Sequence, residues 1–329
     1  MVGKLSHAAA GAGMALVACT LGIAACGGDD EKAGGGGSGS TKIAVQETAG
    51  VPSAFVAFGV EKGFFREQRL EVDLEATQGG AATIPALVSE SIQVGGSNVV
   101  SLLLAAEKGL PLQAIAPGTS AAKAGEKDFG ALLVAEGGDV EDAGDLEEKT
   151  VAVNTLDNIA DVVVKRALEK EGVDVAKVKL TEVPFPEMAP ALESGDVDAA
   201  FSIEPFVTPA VGKGAEVVSY SYVVTEPEMQ VGAYAVTKQF AQESPEVVRG
   251  FQAAVGKTAS YVTDNEAEFR TFLAEEAKIA PDLAKRIVLP RWSEKLDESS
   301  LDNTASLMQR YGLTERPVDA KQLVAGGGA

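Results

Sequence analysis

Two thirteen-residue stretches constrain this chain more than any other feature. They are 85-PALVSESIQVGGS-97 and 190-PALESGDVDAAFS-202, which align without a gap, and in which Pro, Ala, Leu and two Ser coincide. Each reads as the end of a helix, a polar turn and a strand. Chance likeness between two helix–turn–strand units is the competing explanation, but the surrounding pattern repeats as well. Strand patterns at 42–46, 70–74, 92–94 and 112–116 alternate with helical periodicity at 51–62, 83–90 and 98–108. A second run follows, with strands at 150–153, 178–182 and 199–203 and helices at 158–170 and 187–193. Alternation of this kind predicts an α/β fold of two lobes on one plan, each a mainly parallel sheet flanked by helices.

Two apolar, extended segments, Leu132 to Ala135 and Val231 to Val236, flank the second run. They are read as the two connections of a two-segment hinge. Lobe 1 is then expected at 42–133 plus 231–329, and lobe 2 at 134–230. Ser244-Pro245-Glu246 is a helix start, with Ser as cap and Pro in the first turn. Helices are expected at 245–263, 266–276, 281–288 and 298–311, and Trp292 as a packing anchor between the last two.

The N-terminus follows other rules. Lys4 precedes an apolar stretch from Ala8 to Ala25, then Cys26-Gly27-Gly28-Asp29-Asp30. A basic start, an apolar core and small residues before a cut describe an export leader, expected at 1–25. Ile23-Ala24-Ala25-Cys26 is similar to a bacterial lipobox, in which the Cys takes lipid; Leu16-Val17-Ala18-Cys19 fits too. Cys26 is preferred, because an acidic, flexible segment follows it and Cys19 lies inside the apolar core. The Gly/Ser-rich remainder of 26–41 is a tether, so the body is expected outside the cytoplasm, anchored to the bacterial cell membrane through Cys26.

Without residues 1–25 the chain keeps 27 basic and 48 acidic residues, a net charge of −21, and loses His7, its only histidine. Such charge disfavours nucleic acid. The absence of His, with one Cys reserved for lipid, excludes Ser-His-Asp and Cys-His catalysis and His/Cys zinc sites. No metal and no cofactor is expected.

Beside this reading stands a resemblance. The stretch 58-FGVEKGFFREQRLEVDL-74, then Gly79-Gly80, 108-KGLPLQAIA-116 and 187-EMAPALESGDVDAAFSIEPF-206 resemble the solute-binding proteins of ABC importers, in the nitrate/sulfonate/taurine/thiamine-precursor branch. Arg69 departs from the pattern, where the branch usually has Gly. The resemblance implies the two-lobe periplasmic-binding-protein fold (type II), with solute clamped in the cleft and delivered to an ABC permease in the membrane. It also implies a monomer.

Ligands of open parallel sheets sit beyond the carboxyl ends of strands, near helix N-termini. Those positions are Gln46, Glu47, Thr48, Gly79, Gly80, Ser97, Asn98, Asn154, Thr155 and Glu204, with Phe185 after the second strand of lobe 2. Phe185 either stacks on a planar ligand or packs. Ser97 and Asn98 are expected to cap a helix, with ligand contact as an additional role. Glu204 either accepts hydrogen bonds from solute or braces backbone N–H groups of its loop. Glu47, Asp157 and Glu204 would together oppose an anion, though Asp157 is equally read as a cap. The expected cargo is therefore a small polar organic solute, a thiamine-precursor aminopyrimidine at least as much as a sulfonate. The competing functions are a sensor signalling to a membrane receptor, and an enzyme using Glu47 and Glu204 as paired carboxylates.

Overall fold

The computed structural model describes residues 39–316 and 318–324. The leader, Cys26, Cys19 and most of the tether lie outside these residues.

The strands in chain order are β1 (Thr41–Thr48), β2 (Leu70–Thr77), β3 (Val94–Asn98), β4 (Leu112–Pro117), β5 (Thr119–Ser120), β6 (Gly130–Val134), β7 (Thr150–Val153), β8 (Lys179–Glu182), β9 (Ala199–Ile203), β10 (Glu216–Ser219), β11 (Gly232–Thr237) and β12 (Arg291–Trp292). They form two five-stranded sheets, ordered β2-β1-β3-β11-β4 and β8-β7-β9-β6-β10, and a small β5-β12 ribbon. In the first sheet β1 runs parallel to β2 and β3, while β11 is antiparallel to β3 and β4. In the second, β7 runs parallel to β8 and β9, while β6 is antiparallel to β9 and β10. Four strands of each sheet thus point one way. The duplicated wording ends in β3 and β9, the middle strands of the two sheets. The α/β, two-lobe type II architecture read from the sequence is what the chain adopts.

The two flanking segments are not loops between lobes. Leu132 and Leu133 pair with Phe201 and Ala200 in the second sheet, and Ala233 to Ala235 pair with Ser97 to Gly95 in the first. A residue 133/134 boundary therefore falls inside β6. Both segments are apolar because they are buried strands, a property that a hydropathy pattern shares with a sheltered connection. Each is the reversed strand entered as the chain passes to that sheet. β3, at Val94–Asn98, also lies later than the expected 92–94 and takes in Gly95-Gly96. The helix Gly80–Val88 begins three residues before its expected start, and Val207–Gly212, Ser221–Thr225 and β10 have no counterpart among the expected elements.

Packing explains the glycines. A Cβ on Gly95 would overlap Thr83 and Leu87 of the helix Gly80–Val88, and one on Gly96 would overlap the Glu47 carboxylate. β3 can sit between a helix and a buried side chain only because these two positions lack side chains. Arg69 has φ of 60°, the left-handed turn that favours Gly; a side chain there is the departure noted above.

The helices Val51–Glu61, Pro245–Asp264 and Glu266–Glu276 cover one face of the first sheet. Trp292 stacks on Phe55 at 4.9 Å and meets Phe269 edge-on, the packing role expected of it. A second core, continuous from the other face of the first sheet to the second sheet, includes Leu102, Leu133, Val151, Val163 and Phe201. The helix Glu298–Arg310 joins it through Leu301, Ala305 and Met308. Among the described residues no helix is long and apolar enough to cross a membrane.

Candidate functional site

Four helices point their N-termini into one cavity. They are Gly80–Val88, Val99–Glu107, Ile159–Lys170 and Phe185–Ser194, two following strands of each sheet. The cavity, about 50 Å³, is lined by Glu47, Thr48, Gly79, Gly80, Ser97, Asn98, Asn154, Ile159 and Phe185. Tyr222, Phe129 and Tyr234 wall its inner end. A helix N-terminus presents unpaired N–H groups and about half a positive charge. Two of the four, those starting at Gly80 and Phe185, have no side-chain cap. Asn98 caps the third by accepting from Ser101 N–H at 2.9 Å, and Asn158 accepts from Ile159 N–H at 2.8 Å.

The two sheets meet around this cavity. Asn154 Nδ2 donates to the Gln78 carbonyl at 3.3 Å, and Asn158 Nδ2 donates to Ser101 Oγ at 3.0 Å in a buried contact. Ser97 Oγ donates to the Gly80 carbonyl at 2.9 Å. It ties two chamber walls together instead of capping, so of the expected pair only Asn98 is a cap. Thr155 stands against Gly79 across the cleft.

Among the described residues Glu47 is the only acidic or basic residue lining the chamber. Its carboxylate is buried, accepts from Thr48 N–H at 2.7 Å and has the Tyr234 phenol as a neighbour. Burial pushes its pKa from 4.5 up to about 7, against the opposing pull of that bond. The same burial, and the neighbouring Glu47 carboxylate, raise the Tyr234 phenol.

The other two expected acids are elsewhere. Glu204 is 1% exposed and does not line the chamber. It accepts from Thr208 Oγ1 at 2.6 Å, Thr208 N–H at 3.1 Å and Val288 N–H at 3.2 Å. Its geometry is that of the brace, and burial raises its pKa. Asp157 takes φ of 51° and gives its N–H to Asp161; the cap is Asn158. Gln46 points the other way along β1, donating to Glu75 at 2.7 Å. The three-acid field expected to repel an anion therefore shrinks to one carboxyl facing four helix N-termini. Glu47 and Glu204 likewise do not share a cavity, as paired acid–base work requires. Among the described residues no cluster of three or more His, Cys, Asp or Glu could hold a metal.

Sequence reasoning missed Tyr234, Tyr222 and Phe129. Tyr234 lies in β11, whose segment read as a connection; Phe129 immediately precedes β6, and Tyr222 lies in the helix Ser221–Thr225, which had no counterpart among the expected elements. No signal marked them as site walls.

The chain matches the family described as NMT1/THI5 like over residues 53–268. It is 27% identical over 205 residues to the taurine-binding periplasmic protein of Escherichia coli K12, a match spanning 61% of each protein. In fold it is similar to the alkanesulfonate-binding protein SsuA from Xanthomonas axonopodis pv. citri bound to MOPS, with TM-score 0.73, 16% identity, and 88% of this chain and 98% of that one covered. It is similar too to the periplasmic nitrate-binding protein NrtA from Synechocystis PCC 6803, with TM-score 0.70, 14% identity, and 87% and 85% covered. The chain belongs to the NMT1/THI5-like family.

Proposed function

We propose that the protein is the solute-binding component of an ABC import system, capturing a small organic anion of sulfonate type by lobe closure and handing it to a membrane permease. One observation carries this reading: four helix N-termini from two sheets converge on a chamber closed by hydrogen bonds between those sheets. Converging N–H groups stabilise a tetrahedral oxyanion without Lys or Arg. Solute touching both sheets favours the closed form, and the Asn154–Gln78 and Asn158–Ser101 bonds would form as it shuts. The lobes in this reading are the units built on the two sheets, with the passages near residues 118–130 and 222–231 as hinge. At about 50 Å³ the chamber holds an anionic head, less than the ~300–1,000 Å³ of usual ligand pockets.

A taurine-like solute has a second match here, since its ammonium could face the Glu47 carboxylate. The body would work outside the cytoplasm, monomeric and tethered by lipid on Cys26. No bond-breaking step is needed.

Calorimetric titration with taurine, methanesulfonate and an aminopyrimidine tests the solute. Sulfonate binding without pyrimidine binding is expected, and the reverse would overturn the anion reading. A Cys26→Ser substitution tests the tether: it should move the protein from the membrane to the soluble fraction.

A further inference from the structure

The chamber has a neighbour. A second cavity of about 610 Å³ runs along the flank of the cleft, walled by Ala54, Ala57 and Leu273 on the side of the first sheet and by Met188, Phe206 and Pro209 on the side of the second. Among the described residues Phe185 alone lines both cavities. It is buried, and its ring stacks on Phe206 with centroids 5.9 Å apart and planes 16° from parallel. The groove wall also holds Ser202, whose buried hydroxyl has no hydrogen-bond partner.

We propose that Phe185 is the specificity-determining partition between two compartments of one solute site, the polar chamber taking an anionic head and the apolar groove taking a compact aromatic body. This rests on the sulfonate-head reading above. A head held by the helix N-termini fills a chamber of this size, and the remainder of the solute must leave through a wall. Phe185 is the first residue of its helix and lines both cavities, so it stands between the head's surroundings and the groove. The ring lies flat against Phe206, and a planar body can extend that stack. The groove has the volume of an ordinary ligand pocket. A nitrate-sized anion would leave it unused, and a solute without a planar body would gain nothing from the aromatic face. The Ser202 hydroxyl offers such a body a polar contact. Ser53, Lys213 and Glu276 also line the groove, so its wall is apolar in the main and not throughout.

The experiment is a calorimetric comparison of methanesulfonate, which is head alone, with benzenesulfonate, which is head plus ring. The unaltered protein should bind benzenesulfonate about tenfold or more tighter, from the apolar area buried and the stack. Phe185→Ala should bring the ratio of the two affinities to near one, whatever it does to the affinity for the head alone. Phe185→Leu, which keeps the apolar volume and a folded helix start, should lose most of the preference and carries the test if the Ala variant does not fold. Equal affinity for the two sulfonates, or a preference that survives both substitutions, overturns the partition and leaves the head site standing. Failure of both sulfonates to bind overturns the partition and the sulfonate reading together.

Discussion

The two sheets share one arrangement of strands, and their middle strands show where they differ. Ser97 of β3 pairs with Ala233, and Ser202 of β9 pairs with Ala131. One step earlier, Gly96 lies opposite Tyr234 and Phe201 opposite Leu132. In the first sheet the glycine leaves room for a buried carboxylate, Glu47, which lies beside the tyrosine across the ladder. In the second the same place holds a phenylalanine that meets Tyr222 edge-on at 5.2 Å. The acid of that sheet, Glu204, comes after the strand and turns into a brace. One sheet thus builds a chamber wall with a titratable group, and the other builds apolar packing and a backbone clamp. The shared ladder shows that topology did not decide this; one or two side chains did.

The strongest way to break the comparison is pH. Glu47 has a folded pKa of about 7 against an ordinary 4.5. When the folded value is the higher, the folded state holds the proton longer, so stability is fully present below 4.5 and is lost as pH rises towards 7. The 2.5-unit difference sets an upper bound of roughly 3 kcal/mol. Asp128 and Asp161, raised from 3.8 to about 6 mainly by burial, act in the same direction. Urea midpoints measured from pH 4.5 to 8 should therefore fall with rising pH, and Glu47→Gln should flatten the part of the curve between 4.5 and 7. An unchanged slope in that variant would mean Glu47 titrates normally. The same titration sharpens the solute: an anion beside Glu47 binds more weakly above pH 7, whereas an ammonium there binds more tightly.

Next in size is Gly96→Ala, which asks the first sheet to accept what the second has. The new Cβ overlaps the Glu47 carboxylate, and overpacking a buried site costs about 1–3 kcal/mol. The double variant Gly96→Ala/Glu47→Ala removes the clash and should recover part of the loss. A double-mutant cycle with no coupling would contradict the contact.

Glu204 supplies the third test, on the other sheet. Glu204→Ala strands the Thr208 and Val288 N–H groups and should cost about 2 kcal/mol of stability. Sulfonate affinity should change far less, because the carboxylate does not line the chamber. Lost binding in a variant of unchanged melting temperature would return Glu204 to the solute.

How legible all this was depends on the kind of residue. Helix starts with a capping side chain, at Asn98 and Asn158, could be placed within a residue. So could the starts of β1 and β2, though these strands run two and three residues past their expected ends; the element order that makes two lobes was legible as well. Positions at strand ends gave the chamber's polar wall, from Glu47 to Asn154. What failed has one physical cause: sequence distance hides which face a side chain takes. Gln46 and Glu47 are neighbours, yet the pleat sends one towards Glu75 and the other into the chamber. Glu204 stands at a strand end like the others, but its partner Val288 is 84 residues away. Gly95-Gly96 fell outside the expected strand, because only a packed structure shows that two faces of β3 have no room.

The smallest test uses the two serines that the duplicated stretches share. Ser97 Oγ donates to the Gly80 carbonyl, while Ser202 Oγ has no partner. Removing a hydroxyl that satisfies a buried carbonyl costs about 1 kcal/mol, whereas removing an orphaned one relieves a desolvated polar group. Ser97→Ala should therefore lower the urea midpoint, and Ser202→Ala should leave it unchanged or raise it slightly. Equal losses at both positions would show that Ser202 has a partner after all. The opposite signs, at equivalent positions in matching ladders, would show that the sheets use the residue differently: in the first to join two chamber walls, in the second to leave a polar atom on the wall of the groove.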